Sequence, residues 1–268
     1  MNYTEKLVAE KSLKDDILCY WQMKGDIDEA VGINSRYLPK GQNLLIFNYG
    51  RDIEYMEATK FMYLNPRVII VPAFATSRII NQKGKIDLFG ISFIGDGLYK
   101  LMRLPMTKLV NHLTEDLRQK YENLHSELDG LDFPQKAIVA EKFLTDNINQ
   151  NLNSPPLQQA IKAIHQTKGK ITIGDIAKKV YVSERQLQRL FKTRIGISPK
   201  VYCKIIRVNN YIDFILSKDE SVNWMELVVE YDYHDQPHLI NEVKSIAKLS
   251  PKKLQSYRDT LYHRYTNE

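Results

Sequence analysis

The sequence predicts an α+β chain. A small antiparallel β-barrel with attached helices forms the first half, and an all-α second half is built from two copies of one unit. Three observations carry this. Residues 16–94 are short apolar runs separated by turn residues, the pattern of strands and hairpins and not of alternating strand–helix units. From residue 106 onward apolar residues recur at helical spacing. A stretch over residues 175–200 returns 52 residues later, and an internal repeat constrains architecture more than any single motif.

The strand-like runs are residues 17–23, 43–49, 67–71, 78–80 and 85–94. They are bounded by Pro39-Lys40-Gly41, Tyr49-Gly50-Arg51-Asp52, Asn65-Pro66 and Lys83-Gly84-Lys85, which are turn compositions. Tyr20, Trp21, Phe47, Tyr49, Phe74, Phe89 and Phe93 are candidates to fill the barrel or to line a pocket in it. Arg36, Arg51, Arg67 and Arg78 are candidate partners for an anionic ligand there, or surface residues. Helices are predicted over residues 106–121 and 134–149. Pro134 opens the second, and Ile138, Phe143 and Leu144 form its apolar stripe. Both helices are candidates for a dimer seam. The amide-rich stretch 145–156 ends in Pro155-Pro156, and the domain boundary is placed there: residues 1–150 and 151–268.

The two copies are Asp175-Ile176-Ala177 with Ser183 to Lys192 and Gly196 to Lys200, and Glu226-Leu227-Val228 with Asp235 to Lys244 and Lys248 to Lys252. Leu187, Phe191, Lys192, Ser198, Pro199 and Lys200 recur as Leu239, Val243, Lys244, Ser250, Pro251 and Lys252. The first copy has each of the parts that a helix-turn-helix needs. Ile176 and Ala177 anchor the first helix, and Ser183 is placed to cap the second. Leu187, Leu190 and Phe191 then turn inward, leaving Arg185, Gln188, Arg189 and Lys192 on the opposite face. Arg can bond guanine with two hydrogen bonds and Gln can do the same to adenine, so this face suits base reading. Val201, Ile205, Val208, Ile212 and Ile215 fall on one face of a long helix between the copies.

The run Phe191-Lys192-Thr193-Arg194-Ile195-Gly196-Ile197-Ser198-Pro199-Lys200-Val201-Tyr202 resembles the segment that closes each helix-turn-helix in AraC/XylS-type transcription regulators. Asp235-Gln236-Pro237-His238-Leu239 is similar to that family's second recognition helix, and the resemblance spans residues 170–257. It implies two helix-turn-helix subdomains joined by one long helix, with recognition helices entering adjacent major-groove segments of double-stranded DNA. Arg185, Gln188 and Arg189 would then face bases at one site and Gln236, His238 and Asn241 at the other. Lys192, Lys200 and Lys244 would hold phosphates. Phe89 to Ile94 and Leu104-Pro105-Met106 resemble the cupin-like sensor domain of a subgroup of these regulators. The family further implies a small-molecule effector, a homodimer and RNA polymerase as partners, more often in activation.

This sequence departs from the family at the tight turns. The position that is often Gly is Tyr181 in one copy and Asp232 in the other, and Gly196 becomes Lys248. Glu226, Glu230, Asp232, Asp235 and Glu242 would repel phosphate, so the first copy is expected to carry most of the affinity.

Composition sets the outer limits. At 268 residues, 43% hydrophobic and 26% charged, the chain has room for two soluble domains. Charge is lopsided: residues 154–268 hold 19 Lys/Arg against 12 Asp/Glu, the first 153 hold 19 against 20, and residues 170–207 hold 10 against 2. A basic patch on one half is the footprint of a polyanion partner, or else a solvated lysine face. Cys19 and Cys203 fall in different halves and are read as reduced and buried. No signal-peptide pattern or membrane-length apolar run is present, so the chain is read as cytoplasmic with no membrane partner. Residues 16–94 contain no histidine, and His112 and His125 come later. A histidine-ligated metal centre is therefore not expected, nor is a cofactor or a catalytic residue. Two rivals to a sequence-specific regulator are an architectural DNA binder and a barrel enzyme tethered to a DNA-binding tail.

Overall fold

The computed structural model describes residues 2–30, 32–51, 54–55, 62–65, 67–109, 114–217 and 235–255. It is a mixed α/β chain with antiparallel sheet in the first half and helices in the second. The strands are β1 (Asn2–Leu7), β2 (Ile17–Ile27), β3 (Ile33–Tyr37), β4 (Asn43–Asn48), β5 (Glu54–Tyr55), β6 (Met62–Asn65), β7 (Val68–Val71), β8 (Arg78–Gln82) and β9 (Gly84–Phe93). Among the described residues they make two sheets, a six-stranded one in the order β1-β2-β9-β4-β7-β6 and a three-stranded one in the order β3-β8-β5. No ladder joins the two into a closed barrel among the described residues. Each of the five runs read as strands contains one. β1 escapes notice because its residues are mostly polar and exposed, which is what an outer strand tolerates.

The large sheet sorts its side chains with the period of two that a pleated strand imposes. Tyr20, Leu45, Phe47, Val68, Ile70, Phe89, Ile91 and Phe93 point to one face, where helices cover them. Trp21, Met23, Leu44, Ile46, Ile69, Val71 and Leu88 point to the other, with Phe74 and the small sheet's Tyr37. The seven aromatic candidates are thus divided between two layers. Gly90 of β9 has a specific reason: a Cβ there would lie 2.1 Å from the Trp21 ring.

Helix α1 (Gly97–Met102) follows β9 and ends on Arg103 at φ 56°. The predicted helix over 106–121 begins later, as α2 (Glu115–Leu128), because Thr114 caps it by accepting from Leu117 N. Met106 and Leu109 are buried ahead of it. Helix α3 (Phe133–Asn147) has Pro134 in its first turn and a capping box between Asp132 and Gln135. Its buried face is Ala137, Ala140 and Leu144, while Ile138 is 62% exposed. The predicted stripe is therefore kept only in part: Leu144 is buried and Phe143 packs against the same core, while Ile138 faces solvent.

A short 3₁₀ turn (Gln150–Leu152) leads to α4 (Pro155–Gln166), which starts on the proline pair. Then follow α5 (Ile173–Lys179), α6 (Glu184–Arg194), α7 (Pro199–Ser217), α8 (Gln236–Ala247) and α9 (Pro251–Gln255). They enclose one core in which Ile164, Ile176, Leu187, Phe191, Ile205, Val208, Ile212, Leu239 and Val243 are buried. Leu38 and Ala73 of the first half belong to the same core. Between β3 and β4 the chain lies on α7: Asn209 Nδ2 donates to Pro39 O at 2.9 Å, and a Cβ on Gly41 would meet the Tyr202 ring at 2.9 Å.

Candidate nucleic-acid interface

Helices α5 and α6 form a tight pair. Thr172 caps α5 by accepting from Asp175 N, and Ser183 caps α6 in a capping box with Gln186. Between them Tyr181 adopts φ 55°, the left-handed conformation a helix-ending turn needs, although its side chain is 93% exposed. Val182 N closes the turn on Ala177 O at 3.1 Å. The departure from glycine therefore leaves the turn geometry in place.

Burial splits α6 into two faces. Leu187 and Phe191 are fully buried and Leu190 half-buried, with Ile176 and Ala177 of α5 buried against them. Arg185, Gln188, Arg189 and Lys192 are all exposed, as are Lys178 and Lys179 behind them and Lys200 at the start of α7. In α8, Asp235 caps by accepting from His238 N at 2.7 Å, and Leu239, Val243, Ile246 and Ala247 are buried. His238, Asn241 and Lys244 are exposed and Gln236 is half-buried. The helix expected ahead of α8, with Glu226, Glu230 and Asp232, lies outside the described residues.

Two charges differ from their expected roles. Glu242 is 6% exposed and receives Arg207 through Nε at 2.6 Å and Nη2 at 3.2 Å, so it does not face a phosphate surface. Arg194 is withdrawn from the basic run. Its Nη1 donates to Asp96 Oδ2 at 2.6 Å and to Leu152 O at 2.5 Å, and its guanidinium lies over the Tyr99 ring at 4.7 Å. Behind it, fully buried Lys100 pairs with Asp16 and donates to Asn153 Oδ1 at 2.5 Å. Burial pushes the Asp96 carboxyl above the usual carboxylate range, with Arg194 pulling the other way. Nothing local in the sequence announces this cluster; its members are distant along the chain.

Elsewhere in the first half, Arg36 and Arg51 are engaged within the protein. Arg36 donates to Ser77 Oγ and Ala247 O, and Arg51 pairs with Glu29 at 2.9 Å. Cys19 and Cys203 are free and buried. Among the described residues no group of three or more His, Cys, Asp or Glu is placed to hold a metal ion, and no helix is long and apolar enough to cross a membrane.

The helix-turn-helix domain family matches residues 176–257, and a domain of unknown function (DUF6597) matches residues 5–115. No curated protein matches the chain. Among solved structures, a transcriptional regulator of the AraC-type DNA-binding domain-containing proteins from Chromobacterium violaceum is 25% identical, covers 39% of this chain and 92% of its own, and has a TM-score of 0.35. ToxT from Vibrio cholerae O395 bound to (E)-4-(8-methylnaphthalen-1-yl)but-3-enoic acid is 10% identical over 89% of this chain and 97% of its own, TM-score 0.45. Unsaturated fatty acid bound wild-type ToxT from V. cholerae strain SCE256 is 10% identical over 88% and 94%, TM-score 0.40.

Proposed function

We propose that this chain is an AraC-type DNA-binding transcription regulator, and that α6 and α8, in the half that matches the helix-turn-helix domain family, are its two recognition helices and read adjacent major-groove segments of one operator. The observation that carries this reading is the two-faced α6. A capped helix buries Leu187 and Phe191 while presenting Arg185, Gln188, Arg189 and Lys192 to solvent. Arg185, Gln188 and Arg189 contact bases in one block, and Gln236, His238 and Asn241 in the other. Lys192, Lys200 and Lys244 neutralise phosphates, which fixes register and makes affinity salt-dependent.

In this reading residues 151–268 are a double helix-turn-helix domain with α7 as the long connecting helix. Residues 1–150 are a cupin-like sensor and dimerisation domain built on the two sheets. A small-molecule effector, a second copy through α2 and α3, and RNA polymerase are its other partners. It acts in the cytoplasm with no covalent chemistry. Effector control requires a ligand that prefers one arrangement of the two domains.

The test is selection of bound duplexes from a random pool by the full-length protein at near-physiological salt. The expected result is one asymmetric site with two informative blocks about a helical turn apart. Salt-sensitive binding without enrichment, repeated in the presence of cell extract, would instead identify an architectural binder.

A further inference from the structure

The last-turn carbonyls of a helix have no partner within it. In both α6 and α8 the first half of the chain supplies one. At α6, Met106 N donates to Thr193 O at 2.8 Å, and the next residue, Arg194, is held by Asp96, Leu152 O and Tyr99. At α8, Ser77 N donates to Ile246 O at 2.7 Å and Ser77 Oγ to Ala247 O at 2.6 Å. Arg36 Nη1 reaches Ala247 O at 3.4 Å and Ser77 Oγ at 2.9 Å. By the 52-residue repeat Arg194 and Ile195 correspond to Ile246 and Ala247, so both clamps grip the equivalent turn of each copy.

The clamps leave the reading faces open. Arg185, Gln188, Arg189, His238 and Asn241 remain exposed while the helix ends are held. The grip at α6 is also stiff. Asp96 is 2% exposed, and neighbouring Lys100 is locked to Asp16 and Asn153, so Arg194 meets a buried partner of fixed geometry. The arrangement is suited to setting where the two helices stand, and it does not cover what they read.

We propose that the first half of the chain splints the two recognition helices, with Arg194, Arg36 and Ser77 as positioning residues that fix the spacing and phase at which the two blocks of an operator are read. This rests on α6 and α8 being recognition helices. Two binding elements joined rigidly gain most when the target matches their separation. When the joint loosens, affinity for the matched target falls and tolerance of mismatched ones rises.

The experiment uses full-length protein, the selected duplex, a duplex carrying one block only, and duplexes with the blocks moved apart base pair by base pair over half a helical turn (about five base pairs). The unaltered protein should show a sharp affinity maximum at one spacing. Arg194→Gln, and separately the pair Arg36→Gln with Ser77→Ala, should bind the best spacing about tenfold more weakly, the effect of losing one charge-assisted hydrogen bond. Both should bind the single block as the unaltered protein does, which also shows that they are folded, and their spacing profiles should flatten. Profiles that superimpose on that of the unaltered protein would overturn the splint, as would tighter binding at every spacing. If Arg194→Gln loses single-block binding through damage to the buried cluster, the Arg36 and Ser77 pair decides by the same profile. The recognition reading fails separately, if Arg185→Ala and Asn241→Ala leave binding to the selected duplex unchanged.

Discussion

Replacing Tyr181 with glycine isolates the cost of this turn. The residue sits at φ 55° with 93% of its surface exposed, so removing its side chain uncovers no core. A non-glycine residue in the left-handed region carries roughly 1–2 kcal/mol of steric cost. Glycine gives back about 0.5–1 kcal/mol of that through the greater freedom it has when unfolded. The balance is a stabilisation of about 0.5–1 kcal/mol, or a rise in melting temperature of roughly 2 °C. Urea unfolding followed by circular dichroism reads it directly, with an unchanged denaturant slope showing that the surface exposed on unfolding is the same. Tyr181→Val should move the other way, because a branched Cβ is worst in this conformation. A destabilised Tyr181→Gly would refute the argument and show that the phenol makes a contact that its exposure conceals.

Arg185→Ala with Arg189→Ala should weaken specific binding more than Gln236→Ala with Asn241→Ala, read by titrating labelled operator. Each lost base contact costs about 1–3 kcal/mol, and the first pair also removes two charges. The reverse order would show that α8 leads; Glu242, paired with Arg207, does not oppose it. Gly90→Ala should destabilise the sheet by about 1–3 kcal/mol or more, since its Cβ has no room beside Trp21; an unchanged urea midpoint would contradict this. Burial pushes the thiols of Cys19 and Cys203 up to about 12 and about 11. Both should therefore remain protonated and unreactive toward a thiol reagent at pH 8 until denaturant is added, and prompt labelling of the folded protein would disprove it.

What the sequence discloses here is what lies close along the chain. Ser183, Gln186, Leu187 and Phe191 sit within one helix, so their spacing states both the cap and the buried face, and the structure shows both. Pro134 likewise announces where α3 begins. Periodicity serves less well for the buried face of α3: Ala137 and Ala140 lie on it and Ile138 is in solvent, which a stripe drawn through the larger apolar residues does not reveal. It also fails for β1, whose pairing with β2 comes from backbone groups and not from apolar side chains. The clamps were wholly hidden. Asp96, Ser77 and Arg36 look like ordinary polar residues until the fold carries them to the ends of α6 and α8.

Asp96 and Arg194 stand 98 residues apart in the chain, and Ser77 and Ala247 stand 170 apart. On a ribosome adding about 5–20 residues each second, Asp96 emerges roughly 5–20 s before Arg194, and Ser77 roughly 9–34 s before Ala247. N-terminal units fold first during synthesis, so each helix arrives at a surface that is already shaped to receive it. The first half of the nascent chain thus becomes a mould against which the second half is cast, and α8 is the last helix to be seated by it.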